Sequence, residues 1–130
     1  MTLRVFLVED SAMIRDSLVA ALEELAPVEI VGFADDEPTA TTWLRSNPKG
    51  CDVFVIDIFL KRGSGLGFLR EAAKLSRAIR VVLSNYATPD IRTKCLELGA
   101  DRVFDKSNEF DALVAYCARL DAGATGHGRL

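Results

Sequence analysis

Val53-Phe54-Val55-Ile56-Asp57 is the stretch on which the fold turns. Four apolar residues run without a break and end on a carboxylate. So short a run suits a buried strand better than a helix, which needs a longer amphipathic stripe. It is the most apolar of several such runs, and the chain on either side is organised around it.

Upstream, Leu3-Arg4-Val5-Phe6-Leu7-Val8 reads as a first buried strand. Ile14, Leu18, Ala21, Leu22 and Leu25 then repeat at helical spacing, with Ser11 as the cap and Pro27 as the stop. Val28 to Phe33 reads as the second strand, and Asp36 before Pro38 marks the next helix start. Asn47-Pro48-Lys49-Gly50 breaks that helix. Downstream of Asp57, a loop with Gly63, Gly65 and Gly67 leads into a helix through Phe68, Leu69, Ala72 and Leu75. Arg80 to Leu83 is the fourth strand, ending at Ser84; a helix follows Pro89 and stops at Gly99, a natural left-handed cap. Arg102-Val103-Phe104 is a short fifth strand before Lys106, and the last helix holds Phe110, Leu113, Val114, Cys117 and Leu120. Five strand–helix units imply a parallel sheet with helices on both faces. Right-handed crossovers leave few topologies, and ligands bind beyond the carboxyl ends of the strands.

Composition narrows the function. The chain has 130 residues, one ordinary domain, and its 49% apolar content is too high for a disordered chain. The formal net charge of −3 offers no basic field for nucleic acid. No apolar run approaches a membrane span, and Met1-Thr2-Leu3-Arg4 lacks a secretory pattern, so a cytoplasmic protein is expected. Cys51, Cys95 and Cys117 are widely spaced and form no CxxC or Cys/His cluster, which points to reduced, structural thiols. His127, the one histidine, sits in a Gly-rich tail, which argues against a Ser- or Cys-based triad.

The polar residues fall in one place. Glu9 and Asp10 follow strand one, Asp57 ends strand three, Ser84 ends strand four and Lys106 follows strand five. Taken singly, each could be a cap or a solvated loop charge; taken together, they would converge on one crevice. Three carboxylates there repel each other unless a cation joins them. Oxygen-only ligands select a hard ion, and Mg2+ is the expected one. Lys106 can pair with a phosphoryl oxygen and Ser84 can donate to another, while Asp57 would be the nucleophile forming an acyl phosphate.

Val8-Glu9-Asp10-Ser11, Val55-Ile56-Asp57-Ile58, Leu83-Ser84 and Phe104-Asp105-Lys106-Ser107 resemble the response-regulator receiver domain of two-component systems. The resemblance runs from Leu3 to about Leu120. It implies a flavodoxin-like sheet in the strand order 2-1-3-4-5 with five helices. It also implies that Asp57 is the phosphoacceptor. Asp10, Asp57 and the backbone carbonyl of Phe59 would be the metal ligands, with Glu9 acting through water. Ser84 would be the switch hydroxyl, and Lys106 the lysine on the phosphoryl group. The donor would be a sensor histidine kinase or phosphotransfer protein. Output would pass to another protein, or through a homodimer, on the face of the fourth helix, fifth strand and fifth helix. The expected division is a receiver domain over 1–121 and a flexible tail over 122–130, and the short tail leans toward a stand-alone protein. No enzyme activity is expected beyond the domain's own phosphoryl transfer and slow autodephosphorylation.

Several positions depart from the family pattern. The aromatic residue usual three before the lysine is Val103, which has no ring to follow the hydroxyl inward; Tyr86 is the candidate to take part in that relay instead. Ser107 replaces the usual proline, so a trans bond is expected after Lys106. Lys61 replaces another proline, and Lys61-Arg62 reads as a solvated loop pair, with added positive potential at the site as the second option. Phe59 and Tyr86 border the path of attacking water and lack a group to orient it, which implies a long-lived phosphoryl group.

Two other classes compete with this reading. One is a phosphorylation-independent module of the same fold, which Val103 favours and the intact acids, hydroxyl and lysine oppose. The other is a nucleotide or flavin enzyme. Gly63-Ser64-Gly65-Leu66-Gly67 has the wrong spacing and follows the third strand rather than the first. A haloacid-type phosphohydrolase wants a second Asp where Phe59 stands.

Overall fold

Short apolar runs become strands and the stripes between them become helices. The computed structural model describes residues 2–25 and 27–120. Its strands are β1 (Leu3–Val8), β2 (Val28–Ala34), β3 (Val53–Ile56), β4 (Ile79–Ser84) and β5 (Arg102–Asp105). Its helices are α1 (Ala12–Leu25), α2 (Glu37–Ser46), α3 (Gly65–Leu75), α4 (Pro89–Glu97) and α5 (Phe110–Ala118). Every neighbouring pair of strands is parallel, in the expected order β2-β1-β3-β4-β5. The expected tail over 122–130, with His127, lies outside the described residues.

Strand alternation divides the core in two. Val5, Leu7, Val53, Val55, Val81 and Phe104 meet Leu18 and Leu22 of α1 and Leu113 of α5. Phe6, Val8, Phe54, Ile56, Val82 and Val103 meet Leu44 of α2, Phe68 and Leu69 of α3, and Cys95 of α4. Val103 and Phe104 therefore face opposite sides of the sheet, as their neighbouring positions require. The central strands are buried on both faces, which is why they read as unbroken apolar runs. Trp43 stacks on Phe6 with centroids 4.1 Å apart, and Phe54 meets Phe68 edge-on at 5.2 Å. Such pairs add about 0.5–1.5 kcal/mol each beyond their burial.

Side chains close the helix starts. Ser11 Oγ accepts the Ile14 N–H at 3.2 Å, Asp36 Oδ1 the Thr39 N–H at 2.9 Å and Thr88 Oγ1 the Ile91 N–H at 3.2 Å. Gly99, at φ +111°, follows α4 as expected. One boundary differs from the sequence reading. Ser64 Oγ accepts the Leu66 N–H at 3.0 Å, so α3 begins at Gly65, and Gly65 and Gly67 belong to its first turn rather than to a loop. Gly65 is required there by closeness: a Cβ at this position would lie 2.0 Å from the Asp57 carbonyl oxygen.

The loop after β2 braces the loop after β3. Lys61 Nζ lies 2.7 Å from Asp35 Oδ2, Arg62 pairs with Asp36, and Glu37 accepts the Ser64 N–H at 2.8 Å. Lys61 and Arg62 are thus committed to neighbouring acids, and are neither merely solvated nor a source of spare positive potential. Asp36 is buried, and the Thr39 hydrogen bonds and the Arg62 guanidinium hold its carboxyl down at about 2. A carboxyl depressed on folding contributes stability above its unfolded value, and loses that contribution as pH falls through the folded value. Between about pH 4 and pH 2 the wild type should therefore lose stability faster than Asp36→Asn, which keeps a cap but no charge. Denaturant midpoints measured across that range check this; parallel curves would contradict it.

Candidate functional site

Each strand ladder continues one residue past its strand and fixes a polar side chain at the carboxyl edge. The Glu9 N–H donates to the Ala34 carbonyl at 2.9 Å, and the Asp57 N–H to the Val8 carbonyl at 2.8 Å. The Lys106 N–H donates to the Ser84 carbonyl at 2.9 Å. The side chains then converge. Lys106 Nζ lies 2.9 Å from Glu9 Oε1 and 3.3 Å from Asp57 Oδ2. Lys106 is only 10% exposed, Glu9 2% and Asp57 5%. Glu9, Asp10 and Asp57 each present one carboxylate oxygen within 4.8 Å of the others. The expected acids and lysine are thus brought together.

Ser84 stands in the same row, fully buried at the end of β4 and opposite Asp105. Its Oγ accepts the Tyr86 N–H at 3.1 Å, so the hydroxyl is tied to its own loop rather than to a carboxylate. Phe59 follows Asp57 closely, its N–H donating to Asp57 Oδ1 at 3.3 Å. The Phe59 and Tyr86 rings meet edge-on at 5.3 Å, and both are more than half exposed. Val103 lies under this edge in the core, beneath α4. The peptide after Lys106 is trans, as expected for Ser107.

Burial and then the Glu9 charge push the Asp57 carboxyl above the ordinary range, and Lys106 opposes both. Burial works against the Lys106 ammonium, but the hydrogen bond to Glu9 and the Asp57 charge outweigh it and raise its pKa. A buried charge is costly unless paired, so each of these groups depends on the others. Three carboxylates against one ammonium leave two formal negative charges, which one divalent cation would balance. Oxygen donors from carboxylates suit a hard ion such as Mg2+. The thiols take no part: all three are buried, and burial pushes Cys51 and Cys117 up to about 12.

Supporting residues escaped the sequence reading. Arg15 Nη1 donates to the Glu9 carbonyl at 2.7 Å while its guanidinium lies 4.1 Å over the Phe33 ring. Glu37 and Gly65 hold the loop and helix next to Asp57, and Arg92 and Glu109 join the loops after Ser84 and Lys106. The run Asp35-Asp36-Glu37, facing Lys61-Arg62 one crossover later, was a readable signal of opposite charge. The contacts of Arg15 and Arg92 with backbone carbonyls had none, because residue identity does not say which carbonyl a guanidinium will meet.

Among the described residues, no helix is long and apolar enough to cross a membrane. The family model of the response regulator receiver domain matches residues 5–118. A protein-glutamate methylesterase/protein-glutamine glutaminase of Leptospira interrogans is 33% identical over 106 residues, covering 80% of this chain and 30% of that protein. A probable transcriptional regulatory protein of Picosynechococcus sp. is 36% identical over 124 residues, covering 90% of this chain and 48% of that one. The chain thus spans less than half the length of either relative. Among solved structures, the response regulator domain of Thermotoga maritima CheB superposes with a TM-score of 0.77 at 22% identity, covering 90% of this chain and 91% of that one. That likeness bears on the fold alone. The sheet order and the match over nearly the whole described chain agree, and the chain belongs to the response regulator receiver domains of two-component systems.

Proposed function

We propose that Asp57 accepts a phosphoryl group from a phosphohistidine of a sensor histidine kinase or phosphotransfer protein, and that the modified domain signals to a partner protein. The observation that carries this is the buried Lys106 ammonium held between Glu9 and Asp57, with Asp10 beside them. In this reading Asp10, Asp57 and the backbone carbonyl of Phe59 would hold Mg2+, with Glu9 acting through water. The bound ion supplies positive charge for the phosphoryl oxygens.

The chain's own residues do the rest. An Asp57 carboxylate oxygen forms the new bond to phosphorus as the donor's P–N bond breaks, and that electron pair leaves with the imidazole. Lys106, already 3.3 Å from Asp57, pairs with a phosphoryl oxygen as a compact point charge. The Ser84 hydroxyl turns from its loop to donate to another phosphoryl oxygen. Positioning and charge are most of what phosphoryl transfer needs. A histidine kinase donor implies a cytoplasmic setting. Self-association through α4, β5 and α5 is a second form that output can take.

Phe59 and Tyr86 shape the lifetime of the product. Neither has a carboxylate or amide to orient water, and their exposed rings flank the strand ends that carry Asp57 and Ser84. Tyr86 also takes part in the switch in this reading, because its N–H donates to Ser84 Oγ and any turn of that hydroxyl releases it. The same Tyr86 ring position with and without the phosphoryl group would contradict that role.

Two measurements follow. Incubation with Mg2+ and acetyl phosphate should add one phosphoryl group by intact mass, and both Asp57→Asn and a chelator should abolish it. No adduct from acetyl phosphate or from a panel of histidine kinases would leave a phosphorylation-independent module as the better reading. The wild-type adduct should decay slowly, and Phe59→Ala or Tyr86→Ala should hasten the decay several-fold. Fast decay that neither substitution accelerates would contradict the shielding role.

A further inference from the structure

Arg92, near the middle of α4, reaches three acceptors in three different segments. Its Nε donates to the Ala87 carbonyl at 3.0 Å, Nη1 to the Val103 carbonyl at 2.9 Å and Nη2 to Glu109 Oε1 at 2.6 Å. The same Glu109 oxygen accepts the Asp105 N–H at 2.9 Å. Ala87 lies in the loop after Ser84, Val103 lies in β5, and Glu109 lies in the loop after Lys106. A guanidinium is a rigid planar fork, so three acceptors in fixed directions define one arrangement of these segments.

The arrangement spans parts that stay and parts that move. Val103 is held in the ladder opposite Val82, so its carbonyl is fixed. The loop after β4 is chained to the site: Ser84 Oγ accepts the Tyr86 N–H, the Tyr86 carbonyl accepts the Thr88 N–H, and Thr88 caps α4. The loop after β5 is chained to it through Lys106, whose N–H donates to the Ser84 carbonyl. If Ser84 and Lys106 turn to a phosphoryl group, as the proposed function has it, the Ala87 and Glu109 acceptors chained to them would be drawn along, while the Val103 carbonyl would stay with its strand. Arg92 cannot satisfy all three unchanged. Helix α4 has one buried residue, Cys95, with Ile91 partly buried against the same core.

We propose that Arg92, clasped to Glu109, is a positioning residue that carries the state of Asp57 to α4, replacing the aromatic ring that Val103 lacks. This rests on the reading of Asp57 as the phosphoryl acceptor. Glu109 holds the moving end of the clasp and the Val103 carbonyl holds the fixed end.

Amide NMR on the full chain with Mg2+ and beryllofluoride, a phosphoryl analogue, tests this. In the wild type, addition should shift the amides of residues 57, 84 and 106 and those across 90–97. In Arg92→Ala the first group should respond as before, and the shifts across 90–97 should fall to less than half. Arg92→Lys, which keeps the charge without the fork, should respond in between. Glu109→Gln weakens one arm only, so it should lose part of the response and serves if Arg92→Ala does not fold. Undiminished shifts across 90–97 in these variants would overturn the proposal, even with a lower melting temperature, since Arg92 would then be a structural tie only. A wild type whose residues 57, 84 and 106 ignore beryllofluoride would instead overturn the acceptor reading, and the clasp's role with it.

Discussion

The structure depends on one buried cation. Lys106 Nζ sits between Glu9 and Asp57 with all three side chains nearly out of solvent. Leaving two carboxylates there without it would place like charges in a poorly solvated pocket, which folding tolerates badly. The strands that carry these residues must therefore end level with one another, and the sheet register ensures that they do. Val8 stands opposite Ile56, and Ser84 opposite Asp105, so the next residues along are Glu9, Asp57 and Lys106. The same pairing leaves the site short of positive charge once Asp10 is counted, a shortfall that a bound divalent cation would balance.

The loops around the site are held from outside it. Asp35, Asp36 and Glu37 grip the segment from Lys61 to Ser64, and Gly65 lets α3 start directly against the Asp57 backbone. On the other side, Arg92 and Glu109 join the loops that follow Ser84 and Lys106. The first brace is a set of ion pairs over a short helix start and fixes the backbone around Asp57. The second crosses from a helix with little buried surface to a strand and two loops, a construction suited to movement. A rigid side and a movable side thus flank one carboxylate.

Much of this was legible in the residues, for physical reasons. Val53-Phe54-Val55-Ile56 could be read as a doubly buried strand because no polar residue interrupts it, and the same pattern before Glu9 set the parallel sheet. Asp57, Ser84 and Lys106 were legible because each sits at the end of such a run. The start of α3 differs, because three glycines read as loop while Ser64 caps a helix that begins among them. Lys61-Arg62 was read by exposure alone, and its partners lie far away in sequence. Arg92 was invisible for a deeper reason. Two of its three acceptors are the carbonyls of Ala87 and Val103, and a side chain's name says nothing about which backbone oxygen it will meet.

Borohydride reduction tests the central claim most directly. It converts an aspartyl phosphate to homoserine, so treatment after phosphoryl transfer, followed by proteolysis and peptide mass, locates the modified residue. Homoserine at position 57, and at no other acid of the Glu9, Asp10 and Asp57 group, is the predicted result. Homoserine at position 10, or a phosphoryl group that survives borohydride on a hydroxyl such as Ser84, would contradict it.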